Sequence, residues 1–387
     1  MTTNLGASPR RTDATGAAAA PDLPALTSLR GIAAVTVLFF HASWIAYNYA
    51  GGAPPAFWRR GYLAVDLFFL LSGFILTHVY RSRLAAERSW PAIGQFLWAR
   101  FCRIYPASLF TTALFVLVYT VGGLYFQDKI SFTAQLIAAL LLLQVPWLDT
   151  IAINPPSWSI SAEWYAYLLF PFFVPLIWRL RGRTAAMAGI VLVAAVSVDH
   201  TIFGHEDQSS GWGALIRALP EFTIGVFAYR YFSEKRSRKF WEKDATLIGI
   251  GAMIFAACSA GISDGVIVVL LLALLLASVC NSGRVAPILT AAPLRWLGEV
   301  SYSIYISQLV PFLLMTSISG ILVSHGLGGS TFEAIFASLG IGSGVLVHRC
   351  IDVPARTRLR QLPDRLAASV IAYRARRGSE AGSISVG

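Results

Sequence analysis

Three titratable residues of this chain stand inside apolar runs: His41 in LTSLRGIAAVTVLFFHA, Asp66 in GYLAVDLFFLLSGF and Glu163 in NPPSWSISAEWYAYLLFP. Ionisable groups inside a membrane-spanning helix are costly and mark functional sites. A histidine with carboxylates beside it activates a hydroxyl: the carboxylate orients the ring and stabilises the imidazolium that forms when it takes the proton. The same trio can equally serve as a structural network. Arg30 precedes His41 by eleven positions. At about 100° per residue, eleven steps return to within about 20° of one helix face and climb about 16 Å, half the apolar thickness of a bilayer. Arg30 is therefore expected at a membrane surface, with His41 above it near mid-depth. The plainer alternative is a snorkelling arginine plus a core histidine bonded to a neighbouring helix.

Arg100 and Arg103 in WARFCRIYP lie one turn apart, at the depth of Arg30. Three guanidiniums at one interface suit a phosphorylated ligand, although arginine at inner helix ends is also the commonest topogenic signal. Arg217 and Glu221 in IRALPEFTIG are four residues apart on one helical face, with Pro220 opening the backbone between them. They read either as a self-neutralising ion pair or as a substrate contact. Ser157 and Ser159 flank Trp158 and can bond backbone freed by Pro155 and Pro156; this trio is a candidate for acceptor contact or for structure. Ser72 and Gly73 in LLSGF permit close helix approach. Packing is the reading for Ser72, whose flanks lack a strand–turn–helix nucleophile elbow.

Composition fixes the class of element that must hold these residues. Of the 387 residues 56% are hydrophobic and 13% charged, against about 25% charged in a soluble domain. This is an all-α, polytopic helical bundle in a lipid bilayer. The net charge of +11 does not indicate nucleic acid, because the basic residues cluster between apolar runs. Cys102, Cys258, Cys280 and Cys350 lie in or beside apolar runs, without metal spacing or a paired framework, and read as packing residues. Residues 1–22 read as a disordered tail and not as a signal peptide.

Eleven apolar runs occur, near 27–47, 62–80, 104–126, 130–148, 158–178, 185–203, 212–232, 245–261, 264–280, 299–323 and 331–350. If all spanned, the basic groups at 81–103 and 179–183 would face opposite sides, against the positive-inside rule. Setting 130–148 aside as re-entrant or non-spanning removes the conflict. About ten transmembrane helices are then expected, with both termini in the cytoplasm. The outside receives Asp128 with Lys129, Glu206 with Asp207, and His325; Arg59 and Arg60 alone sit on the wrong side. Counting along each helix at 1.5 Å per residue puts His41 about 9 Å, and Asp66 and Glu163 about 7 Å, below the outer surface. The three are expected to converge at one level.

Together these segments resemble the acyltransferase 3 family of integral-membrane acyltransferases. The spacing of Arg30 and His41 resembles its first-span motif, GYLAVDLFFLLSGF (61–74) its second-span signature, and RFCRIYP (from Arg100) its basic-aromatic motif. PSWSISAEWYAYLLFP (156–171) resembles its Ser-Trp-Ser…Glu motif, and LPEFTIG (219–225), WLGEVSYSIYISQ (296–308) and DVPAR (352–356) match later segments. The resemblance spans about residues 24–358 and nominates a domain of residues 23–358, with 359–387 a basic cytoplasmic tail. Two positions depart from it: Gln308 stands where the family often has His, and Asp352 where it often has Glu.

The resemblance implies transfer of an acetyl or other short acyl group from cytoplasmic acyl-coenzyme A to a hydroxyl of a cell-surface carbohydrate. The chain resembles members without a periplasmic hydrolase-like domain, in the inner membrane. Arg30, Arg100 and Arg103 would hold the coenzyme, a co-substrate, and His41, Asp66 and Glu163 would do the chemistry, with no bound cofactor and no metal. The alternatives are acylation of a cytoplasmic small molecule such as a macrolide, and a transporter or flippase.

Overall fold

The computed structural model describes residues 20–365, apart from 52, 87–88, 122–130, 204–208, 235–237, 317–328 and 364. The expected tails at 1–22 and 359–387, and Asp128, Lys129, Glu206, Asp207 and His325, lie wholly or largely outside the described residues. The ordered elements are helical throughout, as long apolar runs without strand alternation require.

Helix α1 (Pro24–Ala50) has proline in its first turn, where the missing N–H costs nothing. A 3-10 turn (Trp58–Leu63) leads into α2 (Ala64–Ala86), and α3 (Trp90–Val121) follows. Two short helices, α4 (Phe132–Leu141) and α5 (Gln144–Trp147), precede α6 (Ser157–Arg179), α7 (Gly182–Phe203) and α8 (Gly211–Ser233). Then come α9 (Arg238–Trp241), α10 (Asp244–Ala260), α11 (Asp264–Cys280), α12 (Ala286–Leu289), α13 (Ala292–Ser307) and α14 (Leu309–Thr316). The last elements are α15 (Gly329–Val347), a π-turn (His348–Asp352) and α16 (Val353–Arg360).

Six of these segments are long and apolar enough to cross a membrane: Pro24–Asn48, Trp58–Leu84, Trp90–Val121, Ser157–Arg179, Gly182–Asp199 and Gly329–Arg360. The chain is accordingly a multi-pass membrane protein. Six, and not ten, is the number among the described residues that length and composition establish.

The run at 130–148 is broken. Its ten-residue α4 covers about 15 Å, half a bilayer, and ends at Leu142 in the left-handed conformation, φ 56°. Side chains of α6 satisfy the backbone at the break: Ser161 Oγ donates to the Leu142 carbonyl at 2.7 Å and accepts from the Val145 amide at 3.2 Å. Irregular backbone at membrane depth is tolerated where protein pairs it in this way.

Close helix crossings set the positions of the remaining elements. A Cβ on Gly73 of α2 would lie 1.9 Å from the Phe222 carbonyl oxygen of α8, and one on Gly225 of α8 would lie 2.1 Å from that of Leu70. The two glycines face each other's helix, so the backbones touch. Gly298 does the same for α13 against Thr27 of α1, at 1.9 Å. Small residues at such crossings are how helices pack where lipid removes the hydrophobic drive. Arg60, on the side expected to be short of positive charge, is neutralised by an ion pair with Asp264 at the start of α11.

Candidate active site

Helix α1 runs unbroken past three cavities in series. The first, of about 480 Å³, is lined by Arg30, Arg100, Arg103, Arg356 and Arg360, with Glu299 and His348. Asp352 gathers this mouth from behind. One of its oxygens accepts from Arg103 at 3.0 Å and lies 3.3 Å from His348 Nδ1 and 4.0 Å from Arg356. The π-turn places His348 and Asp352 together there, and such turns recur at functional sites. Arg100 donates to the Tyr80 hydroxyl at 3.0 Å, and the Arg103 guanidinium lies 5.1 Å from the Tyr302 ring centre. Five arginines against one glutamate in the lining leave a positive mouth shaped for an anion.

The second cavity, of about 100 Å³, shares Arg30, Arg100 and Arg103 with the first and also holds Ser72, Glu163 and Tyr167. Ser72 Oγ donates to Glu163 Oε1 at 2.5 Å. The third, of about 380 Å³, holds His41, Trp44, Tyr62, Trp158 and Arg217. It shares Val65 and Tyr305 with the second.

The structure thus brings Arg30, Arg100 and Arg103 together, and it keeps Arg30 and His41 on one helix at opposite ends of the series. It does not gather His41, Asp66 and Glu163. Glu163 lines the second cavity together with the three arginines. Asp66, fully buried, accepts from Arg217 Nε at 2.8 Å and Nη2 at 2.9 Å. A buried carboxylate needs a partner, and a bidentate guanidinium is the strongest on offer, so Asp66 bonds to α8 and lines neither the second nor the third cavity. Arg217 and Glu221 are not a self-contained ion pair, one of the two readings of their spacing: the bidentate partner of Arg217 is on α2. Glu221, also buried, lies beside the pair and interacts with both members.

His41 lies within polar reach of the Gln308 side chain and the Val37 carbonyl. Gln308 therefore sits beside the histidine at the position where the resembled family often has a second one. Trp158 lies under Arg217, whose guanidinium is 5.1 Å from its ring centre. Ser157 Oγ donates to the Asn154 carbonyl at 2.7 Å and accepts from Gln144 at 2.9 Å. Ser159 Oγ lies 2.7 Å from the Tyr305 hydroxyl and 3.1 Å from the Pro156 carbonyl. Both serines tie down the loop before α6. On α2 the close crossing is made by Gly73 and not by Ser72, which lines the second cavity.

Sequence reading missed Val65 and Tyr305 at the partition, and His348, Arg356 and Arg360 at the mouth. Tyr305 and Arg356 lie inside the SYSIYISQ and DVPAR segments, so a signal for them existed. Val65 lies in the same way inside GYLAVDLFFLLSGF, whereas His348 carried no signal.

Residues 23–348 match the sequence profile of the acyltransferase 3 family, described as an acyltransferase domain. Among curated relatives, "Protein 2 in picA locus" of Rhizobium radiobacter is 34% identical over 185 residues, 44% of this chain and 88% of that protein. Acyltransferase MdmB of Streptomyces mycarofaciens is 32% identical over 182 residues, 45% of each chain. Peptidoglycan O-acetyltransferase OatA of Listeria monocytogenes is 24% identical over 327 residues, 76% of this chain and 50% of OatA. This chain therefore spans about half the length of MdmB and of OatA. No solved structure matches. With most of its length inside the family profile, this chain belongs to the acyltransferase 3 family.

Proposed function

We propose that the protein moves an acetyl or other short acyl group from acyl-coenzyme A, bound from the cytoplasm, to a hydroxyl of a cell-surface or exported carbohydrate. The observation that carries this reading is the series of cavities leading from an arginine mouth to a histidine along one helix. The coenzyme's phosphates are met by Arg30, Arg100 and Arg103, with Arg356 and Arg360 beside them. Guanidiniums bind such oxygens as two-pronged forks. The pantetheine arm runs into the second cavity, where Ser72 and Glu163 face its amides and hold it. Glu163 is thus a positioning residue, and the nucleotide's binding energy fixes the thioester for reaction.

His41 takes the proton from the acceptor hydroxyl as the oxygen attacks the thioester carbonyl. The carbon–sulfur bond then breaks, and the proton passes from His41 to the departing thiolate. Arg217, held by Asp66, offsets the charge that develops on the carbonyl oxygen. Asp66 acts through Arg217 and is a positioning residue too. The topology that suits this chemistry has ten spans in the inner membrane, with both termini and the arginine mouth in the cytoplasm. Its additional spans are α8, α10, α11 and α13 with α14, and α4 with α5 does not cross. The basic clusters at 81–103, 179–183 and 230–243 support it.

A strain lacking this chain should lose an O-acyl ester from its surface glycans, read by mass spectrometry before and after mild alkali. The parent gene should restore the ester, and His41→Ala, at equal membrane abundance, should not. Restoration by His41→Ala would move the base elsewhere.

A further inference from the structure

Val65 of α2 and Tyr305 of α13 line both the Glu163 cavity and the His41 cavity, so they form the wall between them. Neither side chain is built to swing aside. The Tyr305 hydroxyl is tied to Ser159 Oγ at 2.7 Å and donates to the Pro156 carbonyl at 3.1 Å. Its ring meets Phe68 edge-on, with centres 5.7 Å apart. Val65 is 6% exposed, and a β-branched side chain in a helix holds essentially one rotamer. An unbranched, adaptable side chain such as methionine would give way there; valine does not.

We propose that Val65 and Tyr305 form a rigid partition that sets donor specificity, admitting short, unbranched acyl groups to His41 and refusing branched ones. This rests on the acyl-coenzyme A reading above. The donor approaches through the narrower cavity, about 100 Å³, and its acyl group must pass the partition to reach the chamber of about 380 Å³ beyond. A branch at the carbon next to the thioester arrives at the partition itself, where it meets the Val65 methyls or a tethered ring. Length is limited less, because the chamber beyond is the larger one.

The test uses purified protein in lipid nanodiscs, hydroxylamine as a surrogate acceptor, and acetyl-, butyryl- and isobutyryl-coenzyme A as donors. The product is read as hydroxamate above the protein-free rate. Hydroxylamine nitrogen attacks the carbonyl, the carbon–sulfur bond breaks, and coenzyme A leaves as the thiol, so no acceptor need be known. The parent should strongly prefer acetyl and butyryl over isobutyryl. Val65→Ala should raise the isobutyryl-to-acetyl ratio by about tenfold or more, the scale on which a pocket resolves a single methylene. Val65→Thr keeps the shape and should keep the parent's ratio, while Tyr305→Phe should raise the ratio by loosening the ring. An unmoved ratio in Val65→Ala, with acetyl transfer intact, overturns the partition. A parent that makes no hydroxamate from acetyl-coenzyme A overturns the donor reading, and the partition with it.

Discussion

Asp66 and Arg217 form a buried ion pair of which only Arg217 lines a cavity. Both are buried, bonded twice to each other, and far apart in sequence. Arg217 reaches the His41 cavity, and Asp66 stays behind it. Removing one partner of a buried pair strands the other charge, at a cost of about 3–5 kcal/mol. Asp66→Leu and Arg217→Met should each lower the unfolding temperature sharply in detergent. The double variant should lose less than the sum of the two, because neither member of the pair is then left without the other. Strictly additive losses would show that the pair does not couple. The sequence revealed that these residues were charges inside apolar runs, but not that they bond to each other. Depth follows from counting along a helix, whereas partnership depends on how each helix is rotated about its axis, and counting does not fix that. Glu163 was misplaced for the same reason: its depth was argued, but the face it presents was not.

Among the elements, α2 and α8 make the crossing on which both carboxylates and Arg217 depend. Gly73 and Gly225 are what let those backbones touch. A methyl on either would fall on a carbonyl oxygen that belongs to a helix and cannot rotate away. Gly73→Ala and Gly225→Ala should therefore force the helices apart, costing at least the 1–3 kcal/mol typical of overpacking, about. They should lower both thermal stability and transfer, since Arg217 would move with α8. Gly249→Ala in α10 is the control, because its methyl would meet open space; it should leave stability unchanged or slightly raised. Equal behaviour of all three would deny the crossing its role. The elements were legible from the sequence to a large extent, since most of the long apolar runs became single helices among the described residues. The break in the 130–148 run was legible only as a conflict of charge. Its physical basis, Ser161 bonding the backbone at Leu142 and Val145, is a tertiary contact that no local pattern announces.

At the scale of the whole molecule, the proposed function divides between two ends of the bundle tasks that a soluble enzyme would perform in one cleft. The arginine-lined cavity lies at one end of α1 and His41 toward the other, with cavities that share linings between them. The stripe from Arg30 to His41 was readable from helix geometry alone, because both ends lie on one unbroken element. The partition at Val65 and Tyr305 was not, because it is formed where α2 meets α13. Binding and transfer measured on the same preparations test that division most directly. Parent, His41→Ala and the double variant Arg30→Lys with Arg103→Lys are placed in nanodiscs and titrated with acetyl-coenzyme A. His41→Ala should bind the donor as the parent does and transfer nothing. The lysine variant keeps the charge but loses the fork. It should need about tenfold more donor, a loss of about 1.4 kcal/mol, and transfer at near the parent's rate once saturated. Transfer by His41→Ala, or lysine variants that saturate at the parent's donor concentration, would contradict the account.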